Sequence, residues 1–95
     1  MLITNLSLLD GFLARNAAAR APLRRWIEIV EQAEWHSIMR VRRDLPHADA
    51  IKGTNLTCFN IGGNSFRLLT IVRYDRQEVF VVELLTHAQY TKKYA

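Results

Sequence analysis

Two hydrophobic periods divide the chain. Up to about residue 45, apolar residues recur at three- and four-residue steps, the spacing of one buried helical face. Leu23, Trp26, Ile27, Val30 and Ala33 form the clearest such stripe, with Arg20, Arg24, Glu28 and Glu31 on the opposite side. Pro22 suits the first turn of this helix. An earlier helix is expected over residues 8–16, burying Leu9, Phe12 and Leu13, with Ser7 and Asp10 in the spacing of a capping signal. Ser37 caps a third, short helix carrying Ile38 and Val41, which must stop before Pro46. Beyond residue 55 the composition turns to Phe, Ile, Val and Thr, and strands are expected over 56–61, 65–74 and 78–85. Gly62-Gly63-Asn64 reads as a hairpin turn and Asp75-Arg76-Gln77 as a second turn. Residues 46–55 read as a loop. The expected fold is α+β: N-terminal helices on one face of a small antiparallel sheet of three to four strands, the fourth being residues 1–4 at an edge.

At 95 residues the chain is expected to be one domain, 1–95, and 49% hydrophobic residues suffice for a core. The apolar stretches are too short for a membrane span, and the first ten residues lack the basic region of a signal peptide, so a soluble cytoplasmic protein is expected. The single cysteine, Cys58, reads as a small strand hydrophobe and excludes an intrachain disulfide or a multi-thiolate zinc site. His36, His47 and His87 show no ligand spacing, and no metal or other cofactor is expected.

Net charge is +4, and ten of the thirteen basic residues are arginine. Guanidinium matches phosphate and stacks on bases, so a nucleic acid or an acidic protein partner is favoured. Arg15, Arg20, Arg24 and Arg25 precede any acidic residue of their segment, and Arg40, Arg42 and Arg43 form a second run. These runs read either as solvated helix faces or as contacts for RNA or an acidic partner. Trp26 and Trp35 read as core residues.

Two constellations carry candidate chemistry. Alternation on the middle strand puts Phe66, Leu68, Thr70 and Val72 on one face and Arg67, Leu69, Ile71 and Arg73 on the other. A charge on that strand must be paired or open to solvent. Arg67 therefore either bridges to Glu83 on the next strand or grips a phosphate on a helix-free sheet face. The second constellation is the tail, where His87, Tyr90, Lys92, Lys93 and Tyr94 lie within eight residues. If it is helical, His87 and Tyr90 share a face. An imidazole can serve as acid or base near neutrality, and cations can stabilise charge developing on phosphorus. The alternative is a polar, solvated terminus.

The run Phe59-Asn60-Ile61-Gly62-Gly63-Asn64-Ser65-Phe66-Arg67-Leu68 resembles the FNI-GGN-(aromatic)-RL pattern of HigB-type toxins. Thr86-His87-Ala88-Gln89-Tyr90-Thr91-Lys92 is similar to that family's THAEYDK motif, and Trp26, Ala33, Trp35 and Pro46-His47-Ala48-Asp49 match its helical half. The resemblance implies a RelE/ParE-like α+β toxin of a type II toxin–antitoxin system that cleaves translated mRNA on the ribosome. It also implies a helix-turn-helix, HigA-like antitoxin as partner. Carried over, Arg67, His87, Tyr90 and Lys92 become the catalytic candidates, and Arg73, Lys93 and Tyr94 the RNA-binding ones. Gln89 and Thr91 stand where the family commonly has Glu and Asp, which moves the base role toward His87. Two readings from other classes compete: a ParE-like gyrase poison on the same scaffold, and a non-catalytic RNA- or ribosome-binding module.

Overall fold

The computed structural model describes residues 1–94. In chain order the elements are β1 (Leu2–Thr4), α1 (Asp10–Arg15), α2 (Arg20–Gln32), α3 (Ile38–Asp44), β2 (Asp49–Ala50), β3 (Thr57–Ile61), β4 (Phe66–Arg73), β5 (Glu78–Thr86) and α4 (His87–Tyr94). Single 3-10 turns, Leu6–Leu9 and Ala17–Ala19, lead into α1 and α2. The α+β class is as expected. The sheet, however, has five strands, in the order β1-β5-β4-β3-β2, rather than three or four. The meander β2-β3-β4-β5 is antiparallel, but β1 joins its edge parallel to β5, so the sheet is mixed. Strand β2 pairs only through Asp49 with Cys58 and Ala50 with Thr57, inside the expected loop. Two residues are too few for any period to register. No helix among the described residues is long and apolar enough to cross a membrane.

The helical half differs in detail from the expectation. Ser7 caps nothing; the chain enters the first 3-10 turn through Asn5 at φ 70, and α1 itself begins only at Asp10. Helix α2 begins two residues before Pro22, which still lies in its first turn, where the missing N–H costs no bond. Ser37 does cap α3, its hydroxyl accepting from the Arg40 amide at 3.4 Å, and α3 stops at Asp44, before Pro46.

The apolar stripe of α2 (Leu23, Trp26, Val30) packs with Leu9, Ala19, Trp35 and Val41 against Phe59, Ile61, Leu68, Val79, Val81 and Leu84 from one face of the sheet. At its centre the Phe59 ring meets Trp26 edge-on at 5.4 Å and lies stacked on Trp35 at 6.1 Å. Both tryptophans are core residues, as expected. Gly62 and Gly63 sit at φ 67 and φ 65 in the β3–β4 turn, a backbone that side-chain-bearing residues resist.

One irregularity decides which residues face away from this core. Between β4 and β5 the pairing steps from Leu69 with Glu83 to Thr70 with Val81, leaving Val82 as a bulge. A strand without that extra residue would put Glu83 on the same face as Val79 and Val81. The bulge instead returns Leu84 to the core and leaves Glu83 on the opposite, open face.

Candidate active site

The open face of the sheet carries Arg67, Leu69, Ile71 and Arg73 from β4, as the alternation predicts. Opposite them across the strands stand Cys58 and Asn60 on β3, and Glu78, Phe80, Glu83 and Leu85 on β5. Cys58 and Leu69 are as buried as the core, yet they lie outside the core cluster, under the cover that α4 gives the open face.

Helix α4 follows β5 without a loop because its first turn is capped twice. The Thr86 hydroxyl accepts from the Gln89 amide at 3.2 Å, and the Gln89 side-chain oxygen accepts from the Thr86 amide at 2.9 Å. This reciprocal pair is a capping box. It is written in the sequence as Thr86-x-x-Gln89, within the same residues as the candidate catalytic motif. It also gives position 89 a local role that glutamine fills as well as glutamate. The His87 amide donates to the Ser65 carbonyl at 3.0 Å, which fixes the start of the helix beside the β3–β4 turn. At the other end Glu83 is the anchor: Tyr94 donates its hydroxyl at 2.6 Å and Lys93 its ammonium at 3.0 Å. Burial alone would push the Glu83 carboxyl up, but these two donors outweigh it and hold it low. The same contact drives the Tyr94 phenol up to about 12.

Arg67 lies below this helix, buried with 8% of its surface exposed. The bridge to Glu83, one of the two readings of Arg67, is not made, since Glu83 is taken by α4. The Arg67 guanidinium donates instead to three neutral oxygens of the β3–β4 turn and the start of β4: the Asn64 carbonyl at 3.2 Å, the Phe66 carbonyl at 3.2 Å and the Asn64 side-chain oxygen. Tyr90 covers it from α4, with the guanidinium carbon 5.8 Å from the ring centroid. Among the described residues only the Trp26 indole nitrogen is both sealed from solvent and unpartnered. The Arg67 Nε–H, which bonds to nothing in the fold, is therefore not sealed from the surface. Burial pushes the Tyr90 phenol up, as do Cys58 and Asp49, against the pull of Arg67. The Cys58 thiol beneath it is also pushed up by burial. Tyr90 is accordingly held as a neutral phenol, a donor rather than a base.

The predicted residues separate into groups. Arg67, Tyr90 and the backbone of His87 meet at one end of the open face, and the His87 side chain is exposed there. Tyr90 and Tyr94 stack at 5.5 Å along one side of α4. Lys92 is exposed, two residues on from Tyr90 and so on another side of the helix. Lys93 and Tyr94, expected to bind RNA, are engaged with Glu83. Arg73 shares the face but stands six residues farther along β4, roughly 20 Å away. There it is ion-paired with Glu78 at 3.1 Å and lies over Phe80. The exposed arginines of α1 to α3 lie outside this cluster; Arg42 closes the α3–β2 connection by donating to the Ala48 carbonyl at 2.9 Å. Among the described residues no three His, Cys, Asp or Glu side chains gather closely enough to hold a metal ion. Sequence reasoning missed Asn64 and Gln89 as partners, although the turn motif and the Thr-x-x-Gln spacing both contain the signal.

No curated protein matches the sequence significantly. Residues 19–93 match the model of the HigB toxin family, described as the RelE-like toxic component of a toxin–antitoxin system. That span runs from the last residue of the turn before α2 to the penultimate residue of α4 and contains Arg67, Arg73, His87, Tyr90, Lys92 and Lys93, but not Tyr94. The chain therefore belongs to the HigB family of RelE-like toxins, and membership implies an antitoxin as its partner.

Proposed function

We propose that the protein is an endoribonuclease that cleaves mRNA on the translating ribosome, in the cytoplasm, without a metal ion. A helix-turn-helix, HigA-like antitoxin silences it. The observation that carries this reading is a buried arginine on an open sheet face, held by neutral oxygens, with a neutral phenol above it and a histidine at the same edge. The reaction that suits this set is attack of a ribose 2′-hydroxyl on the adjacent phosphorus. The P–O5′ bond breaks, leaving a 2′,3′-cyclic phosphate, or a 3′-phosphate after hydrolysis, and a free 5′-hydroxyl. Arg67 binds the scissile phosphate and stabilises the charge that grows on its oxygens. His87 takes the 2′-hydroxyl proton or delivers one to the leaving oxygen. Tyr90 donates a hydrogen bond to a phosphate oxygen or to the leaving group. Lys92, exposed and close in sequence, adds positive charge along the RNA, and Arg73, Lys93 and Tyr94, engaged with Glu78 and Glu83, act only on flanking nucleotides.

Inducible expression with sequencing of RNA 5′ ends tests this. Wild-type protein is expected to stop growth and create new 5′-hydroxyl ends within translated messages. His87→Ala is expected to reduce them about 10²- to 10⁴-fold, the usual worth of one acid–base group. DNA breaks without new RNA ends would instead identify a gyrase poison. Arrest without either, indifferent to His87, would identify a binding module.

A further inference from the structure

A buried guanidinium is usually met by a carboxylate, because a charge stripped of water needs compensation. Arg67 is not. All three of its hydrogen bonds end on uncharged oxygens, and two of those belong to one residue, Asn64. The carboxylate nearest in register on β5, Glu83, is withdrawn from it by Lys93 and Tyr94. Asn64 itself is exposed in the β3–β4 turn, where the glycines at 62 and 63 allow the backbone to curl so that its carbonyl and its side chain reach the same guanidinium. The Tyr90 ring closes the other side. The cradle thus fixes the position of Arg67 with no carboxylate bonded to it; Asp49, which bears on Cys58 and Tyr90 at the same face, is paired with Arg42 at 3.7 Å instead.

We infer that Asn64 is a positioning residue of the cleavage site: its neutral amide aims the Arg67 guanidinium at the RNA phosphate without competing for its charge. This rests on the reading of Arg67 as the phosphate-binding group. Aspartate has nearly the shape of asparagine, so Asn64→Asp keeps the geometry and turns a neutral bond into a charge-assisted one. The fold then gains a partner for its buried cation, while the phosphate meets a guanidinium already neutralised. Activity and stability move in opposite directions. A residue that merely shapes the turn would move both together.

The test measures cleavage of a defined message in a reconstituted translation reaction, beside thermal unfolding followed by circular dichroism, for wild type, N64D, N64A and R67A. N64D is expected to cleave at least about tenfold more slowly, through kcat rather than KM, with an unfolding midpoint equal to or above that of wild type. N64A is expected to lose activity with a lowered midpoint. If R67A is inactive but N64D cleaves within about twofold of wild type, or if N64D loses activity and stability together, the positioning role is wrong. If R67A itself cleaves like wild type, the assignment of Arg67 fails first, and the role of Asn64 with it.

Discussion

Arg67 and Arg73 are the same residue type on the same face of the same strand, and the acceptors around them differ in charge. At one end of β4 the guanidinium is buried and held by neutral oxygens of a turn; at the other it is half-buried and bound to the Glu78 carboxylate. Glu78 is in turn bonded by Thr4 of β1 at 2.7 Å, so the Arg73 end belongs to the attachment of the edge strand. The comparison teaches that a charged residue on a sheet face reveals its role through its acceptors. A carboxylate partner spends the charge within the fold, whereas carbonyl and amide oxygens satisfy the geometry and leave the charge for a ligand.

The sharpest way to break this contrast is to truncate each arginine. Arg67→Ala is expected to lower message cleavage by about 10²- to 10³-fold, the usual cost of removing one donor to a developing oxyanion. Arg73→Ala should stay within about threefold, since its charge is already paired. Equal losses in a reconstituted translation assay would erase the distinction. A smaller effect concerns the latch at the end of α4. Tyr94→Phe removes one hydrogen bond to a carboxylate and is expected to cost about 1–2 kcal/mol in urea unfolding at pH 7. The Glu83 carboxyl is held below its unfolded value, so its contribution is complete above the ordinary carboxylate range and fades as pH falls through the lowered folded value. The cost of Tyr94→Phe should therefore shrink in acid; a cost independent of pH from 7 down to 3 would show that Glu83 is not its source. At the alkaline end the Tyr94 phenol, at about 12 in the fold, contributes stability below the ordinary phenol value and loses it as pH rises through 12. The smallest effect belongs to the capping box. Thr86→Ala should cost about 1 kcal/mol, while Gln89→Glu should leave both the unfolding midpoint and cleavage unchanged, because either side chain accepts from the Thr86 amide. A loss of cleavage in Gln89→Glu would show that position 89 acts in chemistry as well as in capping.

How much of this was legible in the sequence varies from element to element. The helical stripe of α2, the Ser37 cap, the stop before Pro46 and the β3–β4 hairpin all follow from local rules, and they are where those rules put them. The Arg67 face was legible because alternation along β4 is regular. Its partner was not. Glu83 looked available because it lies on the next strand, but the bulge at Val82 and the docking of α4 decide what Glu83 meets, and both depend on residues far apart in the chain. The Thr86–Gln89 box was legible and was hidden by a more conspicuous motif laid over the same residues.

By itself, the sequence determined two things here: the division into a helical half and a strand half, and the side-chain types that Arg67, His87 and Tyr90 bring to the open face. Period, turn chemistry and side-chain type are properties of neighbouring residues. Only the tertiary structure decided the fifth strand, the parallel edge, and which oxygens surround each guanidinium. Those depend on pairing and burial between distant segments, where a shift of one residue turns a side chain from the core to the open face.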